Sequence, residues 1–266
     1  METLSAARAF ATLGHPDRLS VFRLLMRFAP RGVRPTEIAG ALNLKPNTLS
    51  HHLADLSAAG LIRATRHGRS LHYSVDAAAT EALVAYLALD VARGRPALAA
   101  PAPTADQPRN VLFLCTANSA RSILAEALLR DLGQGRFIAH SAGLHPAHSP
   151  NPWALRTLER HRHATEGLSS KSAESLRGPG APGMDFVFTV CDRAAAEECA
   201  PWPGQPASAH WGLPDPARAP DPEPAFEATY ATLRQRIAAF VALPMGRLDR
   251  PALQQRIDAL SLEPQD

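Results

Sequence analysis

Cys115 ends an apolar run, VLFLC, and is followed by a stretch of small and polar residues, TANSA, and then by Arg121 and a helical pattern. A strand, a tight loop and a helix start in this order form an anion cradle, because loop N–H groups and the positive end of the helix dipole converge on one point. We expect this cradle to hold a tetrahedral oxyanion. Its loop consists of Thr116, Ala117, Asn118, Ser119 and Ala120.

The residues that flank the loop suit a nucleophilic attack on the bound anion. Arg121 can donate two parallel hydrogen bonds to the oxyanion. The same positive field is expected to lower the pKa of Cys115, so that a thiolate attacks. Ser122 can donate a further hydrogen bond to the sulfur, and Asn118 suits a loop position at positive φ.

The elements around the loop predict a doubly wound α/β domain with a parallel sheet. RNVLFLC has the composition of a buried parallel strand, and the next helix places its apolar residues on one face. These are Ile123, Leu124, Ala127, Leu128 and Leu132. Further strands are predicted in RFIAHSAG, MDFVFTVCD and SAHWGL, and helices in NPWALRTLERH and FEATYATLRQRIAAFVAL.

Several segments together resemble the arsenate reductases built on the low-molecular-weight tyrosine phosphatase fold. They are VLFLCTANSARSILAEALLR, HSAGLHP, TVCD, CAPWPG and HWGLPDPA, within residues 109 to about 260. The resemblance implies that Cys115 is the nucleophile and that Asp215, in the Asp-Pro of a late loop, is the acid.

Two further cysteines, Cys191 and Cys199, favour reduction over ester hydrolysis. A phosphatase needs one thiolate because water completes its reaction, whereas arsenate must gain two electrons, which thiols can supply. In the cycle that the resemblance implies, Cys191 attacks the arsenic adduct of Cys115, arsenite leaves, and Cys199 resolves the disulfide. An external thiol reductant, expected to be thioredoxin, then restores the thiols, with no tightly bound cofactor. PDPARAP also lacks the aromatic residues with which tyrosine phosphatases grip a phenol ring.

The first part of the chain predicts a mainly α, winged helix-turn-helix domain. Two helices are separated at Gly14 and Pro16, a short helix follows with Thr36 as N-cap, and a longer helix ends at Gly60. IRATRHGRSLHYSV then predicts a hairpin around His67 and Gly68, and AAATEALVAYLALDVA one more amphipathic helix.

This order of elements resembles the ArsR-type winged-helix repressors over residues 3–92, on the phrases LGHPDRLSVFRLL, NTLSHHLADLSAAGLI and RHGRSLHYSV. The resemblance implies a homodimer that binds operator DNA. Base contacts are expected from Asn47, Thr48, Ser50 and His51, and phosphate contacts from Lys45, Arg66 and Arg69. Arsenic-sensing members carry a cysteine pair before the turn, whereas residues 1–92 contain no cysteine.

Composition divides the chain into residues 1–92, a Pro/Ala-rich linker at 93–108 and residues 109–266. The formal net charge of +3 permits nucleic-acid binding without proving it.

The chain starts without an apolar signal segment and no apolar run is long enough to span a membrane, so we expect a cytoplasmic protein. No metal ligand is assigned, since neither His51 nor His52 has an acidic or Cys partner at ligand spacing.

These features favour a fused transcriptional regulator and arsenate reductase. Two other functions stay open at the level of sequence. One is a repressor whose phosphatase-like domain only senses an oxyanion, and the other is a low-molecular-weight tyrosine phosphatase.

Overall fold

The computed structural model describes residues 1–68, 70–91, 107–178, 180–197, 202, 206–248 and 250–261. They form two compact units, the first consisting of residues 1–91 together with residues 196 and 197, and the second of the other described residues. Arg69, Cys199 and nearly all of the linker predicted at 93–108 lie outside the described residues.

The first unit consists of helices and one hairpin. Its elements are α1 (Thr3–Leu13), α2 (Pro16–Phe28), α3 (Pro35–Leu42), α4 (Pro46–Ala58), β1 (Ile62–His67), β2 (Ser70–Val75), α5 (Ala77–Ala85) and a π-helical turn (Tyr86–Val91). The turn between α3 and α4 places Asn43 in the left-handed region, at φ 51°. Gly60, at φ 71°, follows α4, where the left-handed conformation costs glycine little. The predicted order of helices, helix-turn-helix, hairpin and helix is confirmed.

One capping prediction in this unit was wrong. Thr36 is not the N-cap of α3, because the helix begins at Pro35 with Arg34 as N-cap, two residues earlier than predicted. Proline suits the first helical position because its φ is preset and its missing N–H is not needed there. The carboxylate of Glu37, at the third helical position, accepts a hydrogen bond from the N–H of the N-cap residue Arg34 at 2.9 Å.

The second unit is a parallel sheet covered by helices. Its elements are β3 (Arg109–Cys115), α6 (Arg121–Leu132), β4 (Phe137–Gly143), α7 (Pro152–Arg160), β5 (Phe186–Thr189), α8 (Asp192–Ala196), β6 (Ala207–His210), α9 (Pro222–Val241) and α10 (Arg250–Ala259). The strand order is β4-β3-β5-β6, and each neighbouring pair is parallel. The doubly wound sheet is thereby confirmed. None of the helices in the described ranges is both long and apolar enough to cross a membrane.

The central strand β3 carries the loop of interest at its carboxyl end. Cys115 pairs in register with Gly143, the last residue of β4. On the other side Leu114 pairs with Thr189, the last residue of β5. The carboxyl ends of three strands therefore meet at Cys115.

Apolar side chains cover both faces of the sheet. One face contributes Phe113, Phe188 and Trp211 to the larger core, and the opposite face contributes Leu112 and Val187 to a smaller cluster. Helix α6 departs from the predicted single apolar face, because every residue from Ser122 to Leu129 is buried. A helix enclosed on all sides cannot show a clear amphipathic period.

Candidate active site

The loop between β3 and α6 turns its peptide groups so that their carbonyl oxygens face away from the cradle. The carbonyls of Cys115, Thr116, Ala117 and Ser119 accept hydrogen bonds from backbone N–H groups within residues 144–151, at 2.8–3.1 Å. This arrangement directs the N–H edge of the loop towards Cys115. The N–H of Asn118 does donate to the sulfur of Cys115, at 3.1 Å.

Gly143 allows the loop to lie this close to β4. A Cβ at Gly143 would lie 2.8 Å from the oxygen of Thr116, 2.9 Å from the nitrogen of Asn118 and 3.0 Å from the carbonyl carbon of Ala117. All three are backbone atoms, so no flexible side chain could move aside. The glycine is a structural requirement of the anion loop, and it is the Gly of the segment HSAG.

The sulfur of Cys115 receives two hydrogen bonds. Ser122 Oγ lies 2.9 Å from Sγ and itself accepts a hydrogen bond from Asn118 Nδ2 at 2.9 Å. Either atom of the Ser122–Cys115 pair can donate when the thiol is protonated, and the O–H of Ser122 donates to the sulfur once Cys115 is a thiolate. Asn118 has the predicted positive φ, at 46°, and Ser122 lies within hydrogen-bond distance of the sulfur, while its role as the donor stays a prediction.

The expected low pKa of Cys115 was wrong for the free protein. Burial raises the pKa of the Cys115 thiol, which is 3% exposed, and the nearby Cys191 thiol acts in the same direction. The hydrogen bonds from Ser122 and Asn118 and the charge of Arg121 lower the pKa, but burial exceeds them. The positive field is visible in the sequence as Arg121 and a helix start, whereas the loss of solvent around the sulfur depends on the tertiary packing.

A buried polar network behind the loop was missed in the sequence. Asn118 Nδ2 also donates to Ser141 at 2.8 Å, and Asn118 Oδ1 accepts from the N–H of Lys171 at 2.7 Å. Ser141 donates in turn to the carboxylate of Glu126, which is 2% exposed and pairs with Lys171 Nζ at 3.4 Å. Because these buried polar groups form hydrogen bonds with one another instead of with water, they fix the side chain of Asn118, which holds the loop. In the sequence, the carboxylate of Glu126 inside the apolar run of α6 could have indicated this network.

Arg121 lies at the mouth of the loop beside Asp215. Its Nη1 donates to the carbonyl of Leu213 at 2.7 Å, and its Nη2 lies 3.2 Å from Asp215 Oδ2. Its Nε is buried and has no hydrogen-bond partner among the described residues. The sequence-predicted pair is therefore brought together, and the guanidinium keeps an unused N–H for a further acceptor.

Cys191 shares this cleft. It follows β5, and its sulfur lies 3.4 Å from Thr116 Oγ1 and accepts from the N–H of Ala194 at 3.4 Å. Cys115 and Cys191 are both free thiols and both line one open cavity of about 480 Å³. Cys199 lies outside the described residues, so its predicted role is untested.

The rim of the cleft adds charged side chains that the sequence did not single out. Asp192, Arg193 and Arg218 line the opening. Asp192 Oδ1 lies 2.9 Å from Nε2 of His210, whose Nδ1 lies 2.9 Å from the hydroxyl of Thr189. This contact ties the start of α8, next to Cys191, to the end of β6.

The DNA contacts predicted in the first unit lie on α4 and on the hairpin. Lys45, Asn47, Ser50, His51 and Arg66 are exposed, and Thr48 is half-buried. Ser50 Oγ donates to the carbonyl of Pro46 at 2.9 Å, which leaves its oxygen as an acceptor only. Arg69 lies outside the described residues.

Comparison with known proteins adds relatives for both units. The sequence model described as low molecular weight phosphotyrosine protein phosphatase matches residues 110–250, and one described as helix-turn-helix domain matches residues 13–64. The arsenate reductase of Bacillus licheniformis is 31% identical over 129 residues, which are 48% of this chain and 89% of that protein. The arsenate reductase of Bacillus subtilis is 31% identical over 127 residues, which are 48% of this chain and 88% of that protein.

Among solved structures, the arsenate reductase of Archaeoglobus fulgidus is 23% identical, with a TM-score of 0.42, and the match covers 50% of this chain and 99% of that one. The match to the phosphatase model spans more than half of the chain and contains Cys115, Arg121, Cys191 and Asp215. The chain therefore belongs to the low molecular weight phosphotyrosine protein phosphatase family, and it joins the domain of that family to a preceding helix-turn-helix domain.

Proposed function

We propose that the second unit is an arsenate reductase. The observation that carries this proposal is the pairing of two free thiols in one cleft, Cys115 inside an oxyanion loop and Cys191 on its wall. Hydrolysis of a phosphate ester requires the first thiol alone. Reduction requires both, because two electrons must leave the protein for each arsenate consumed.

In the first step Cys115 attacks arsenate held by the loop N–H groups and Arg121. A sulfur–arsenic bond forms and an arsenic–oxygen bond breaks, and the departing oxygen leaves as water after Asp215 gives it a proton. In the free protein Asp215 lies against Arg121, at 3.2 Å. An oxyanion that takes over the guanidinium frees the carboxyl group to hold the proton it must donate.

In the second step the thiolate of Cys191 attacks the sulfur of Cys115. A disulfide forms, the sulfur–arsenic bond breaks, and its electron pair stays on arsenic, which passes from As(V) to As(III). Two thiols and one arsenate thus yield one disulfide, one arsenite and one water. The arsenite then leaves the loop, because the sulfur–arsenic bond that held it to Cys115 is broken.

In the third step Cys199 attacks Cys191 and releases Cys115 for another turnover. The resulting Cys191–Cys199 disulfide is reduced by an external dithiol protein, for which we propose thioredoxin.

The lining of the cleft supports a small inorganic substrate over a phosphotyrosine. Between the loop and Asp215, the described residues that form the wall include Leu213, Pro214 and Ala217, and none of the described lining residues is aromatic. Stacking on a phenol ring therefore has no partner there. The two Bacillus relatives that carry the name arsenate reductase support the same choice.

The test of this proposal measures arsenite release and phosphatase activity on one preparation of the full chain. Arsenate turnover is coupled to thioredoxin, thioredoxin reductase and NADPH, and hydrolysis of para-nitrophenyl phosphate is followed in parallel. Cys115→Ser should abolish both activities. Cys191→Ser should abolish arsenite release while leaving oxyanion binding intact. An enzyme that hydrolyses the ester but releases no arsenite would identify a phosphatase instead.

We further propose that the first unit is an ArsR-type regulator that binds operator DNA as a homodimer. Large apolar side chains on α1, α5 and the π-helical turn lie exposed in the single chain. They are Leu4, Phe10, Val84, Leu87 and Val91, with exposed fractions from 36% to 84%. Exposed apolar side chains on these elements favour a partner surface, and a two-fold dimer would present two copies of α4 to DNA.

Sedimentation and DNA-binding measurements test the second proposal. The full chain should sediment as a dimer and should bind its own promoter region with an affinity that falls steeply with salt. Leu4→Glu should dissociate the dimer and weaken DNA binding, whereas Leu19→Glu, on α2, is the matched control for an exposed leucine. A monomer with full DNA affinity would contradict the proposal.

A further inference from the structure

Three side chains from two separate helices meet inside the first unit. His15 precedes α2, Asp17 lies in its first turn, and His52 lies on the buried side of α4. One potential ligand atom from each, two imidazole nitrogens and a carboxylate oxygen, lie within 4.8 Å of one another. The rings of His15 and His52 are 4.9 Å apart between centroids.

His52 is the unusual member of this group. It is 7% exposed, and neither of its ring nitrogens makes a hydrogen bond to the residues that the structure describes. The nearest opposite charge is Asp17 Oδ2, at 3.5 Å from Nε2. A buried imidazole without partners is costly, so native structures supply such a group with a hydrogen bond, a water or a cation.

The ligand atoms of His15, Asp17 and His52 determine which class of metal ion the site would bind. Two imidazoles and one carboxylate suit Zn²⁺ and its neighbours in the transition series, whereas Mg²⁺ and Ca²⁺ require mainly oxygen ligands. We propose that His15, Asp17 and His52 bind a divalent transition-metal ion of the Zn²⁺ class. Three protein ligands leave a fourth position for water.

The site must contract when the ion binds. A tetrahedral ion with ligand distances of about 2.0–2.1 Å places its ligand atoms roughly 3.3 Å apart. Asp17 can supply most of this movement, since its side chain is 47% exposed. His15 Nδ1 accepts a capping hydrogen bond from the N–H of Asp17 at 3.1 Å. Metal binding breaks that bond in either coordination mode of His15. A metal bound at Nδ1 uses the lone pair that accepts from Asp17, and a metal bound at Nε2 requires the proton of the neutral ring to lie on Nδ1, which then cannot accept.

The ion would link the start of α2 to α4, the helix proposed to enter the DNA groove. His51, the neighbour of His52, is exposed on that helix and is one of the proposed base contacts. Metal occupancy would therefore restrain the position of the DNA-reading helix. Sequence spacing did not indicate this site, because the acidic partner of His52 lies 35 positions away, at Asp17.

The experiment uses the full chain with Cys115, Cys191 and Cys199 changed to serine, so that no thiol competes for the metal. Co²⁺ is the spectroscopic probe, and Zn²⁺ is then used to displace it. We expect one equivalent of Co²⁺ per chain, with the intense d–d absorption of a four-coordinate site. Asp17→Asn and His52→Gln should each weaken binding by at least tenfold. His51→Gln, the matched control on the same helix, should bind Co²⁺ like the parent.

Three results would overturn the proposal. They are no Co²⁺ binding by the cysteine-free chain, unchanged affinity in Asp17→Asn, or an equal loss of affinity in His51→Gln. If His52→Gln does not fold, Asp17→Asn decides the question, because its half-exposed side chain is replaced by one of the same shape.

Discussion

Replacing Gly143 by alanine tests whether the backbone of the anion loop is held by the end of β4. The added Cβ would meet three backbone atoms of the loop at 2.8–3.0 Å. Ordinary contacts of this kind begin near 3.4 Å, so the loop must retreat by several tenths of an ångström. A catalytic constellation tolerates displacements of about 0.5 Å, and a misplacement of 1 Å can cost about 10²-fold in rate. We therefore expect Gly143→Ala to lower kcat by roughly 10-fold to 100-fold.

Two readouts separate this local effect from loss of folding. The first is arsenate turnover, and the second is protection of Cys115 from iodoacetamide by added phosphate, which reports oxyanion binding without any chemistry on arsenate. The variant should lose both turnover and protection. Gly183→Ala is the matched control, since a Cβ at that glycine in the same unit would meet nothing within 4 Å. It should behave like the parent in both assays.

The reasoning would be refuted by a Gly143→Ala variant that turns over and binds phosphate like the parent at an unchanged Tm. In that case the loop could shift without consequence. A variant that loses activity only by unfolding would show a lowered Tm together with a loss of the α/β core, which circular dichroism detects.

Four other expectations follow from the same contacts. Ser122→Ala removes the hydrogen bond that Ser122 donates to the thiolate of Cys115. Because a hydrogen bond to a charged group contributes about 1.5–3 kcal/mol, the pKa of the thiol should rise by about 1–2 units. Alkylation of Cys115 at neutral pH should therefore slow at least tenfold. Asp215→Asn keeps the size of the side chain but cannot supply a proton, so single-turnover formation of the arsenic adduct should slow by about 10²-fold or more, with phosphate protection retained. Burial raises the pKa of Cys115, so the fold favours the neutral thiol, and the free energy of unfolding should fall as the pH rises through the folded pKa. Urea titrations should show this alkaline loss to be smaller in Cys115→Ser. Arg66→Ala should weaken specific and non-specific DNA binding alike and reduce the salt slope by about one, as fluorescence anisotropy can measure.

The local sequence was enough to predict those parts of the fold that depend on interactions among neighbouring residues. The anion loop follows from a strand end, an Asn that tolerates positive φ and an Arg at the helix start, and all three were in place. The start of α3 was placed two residues late because Thr36 is a good cap, whereas the helix begins at Pro35 and the carboxylate of Glu37 accepts from the N–H of Arg34.

Tertiary partners could not be predicted in the same way. Glu126 supports the loop only because β4 brings Ser141 beside it and a separate segment brings Lys171. The pKa of Cys115 depends on how much protein surrounds the sulfur, which the spacing of Cys115 and Arg121 does not encode. Both properties follow from long-range packing.

The release of arsenite by Cys191→Ser, compared with the parent chain, tests the central claim most directly. In a single turnover without external reductant, the parent should release one arsenite for each disulfide that the chain forms, counting both Cys115–Cys191 and the Cys191–Cys199 disulfide that follows it. The variant should release none, while phosphate still protects its Cys115 from alkylation. Arsenite released by Cys191→Ser at the parent rate would contradict the two-thiol mechanism.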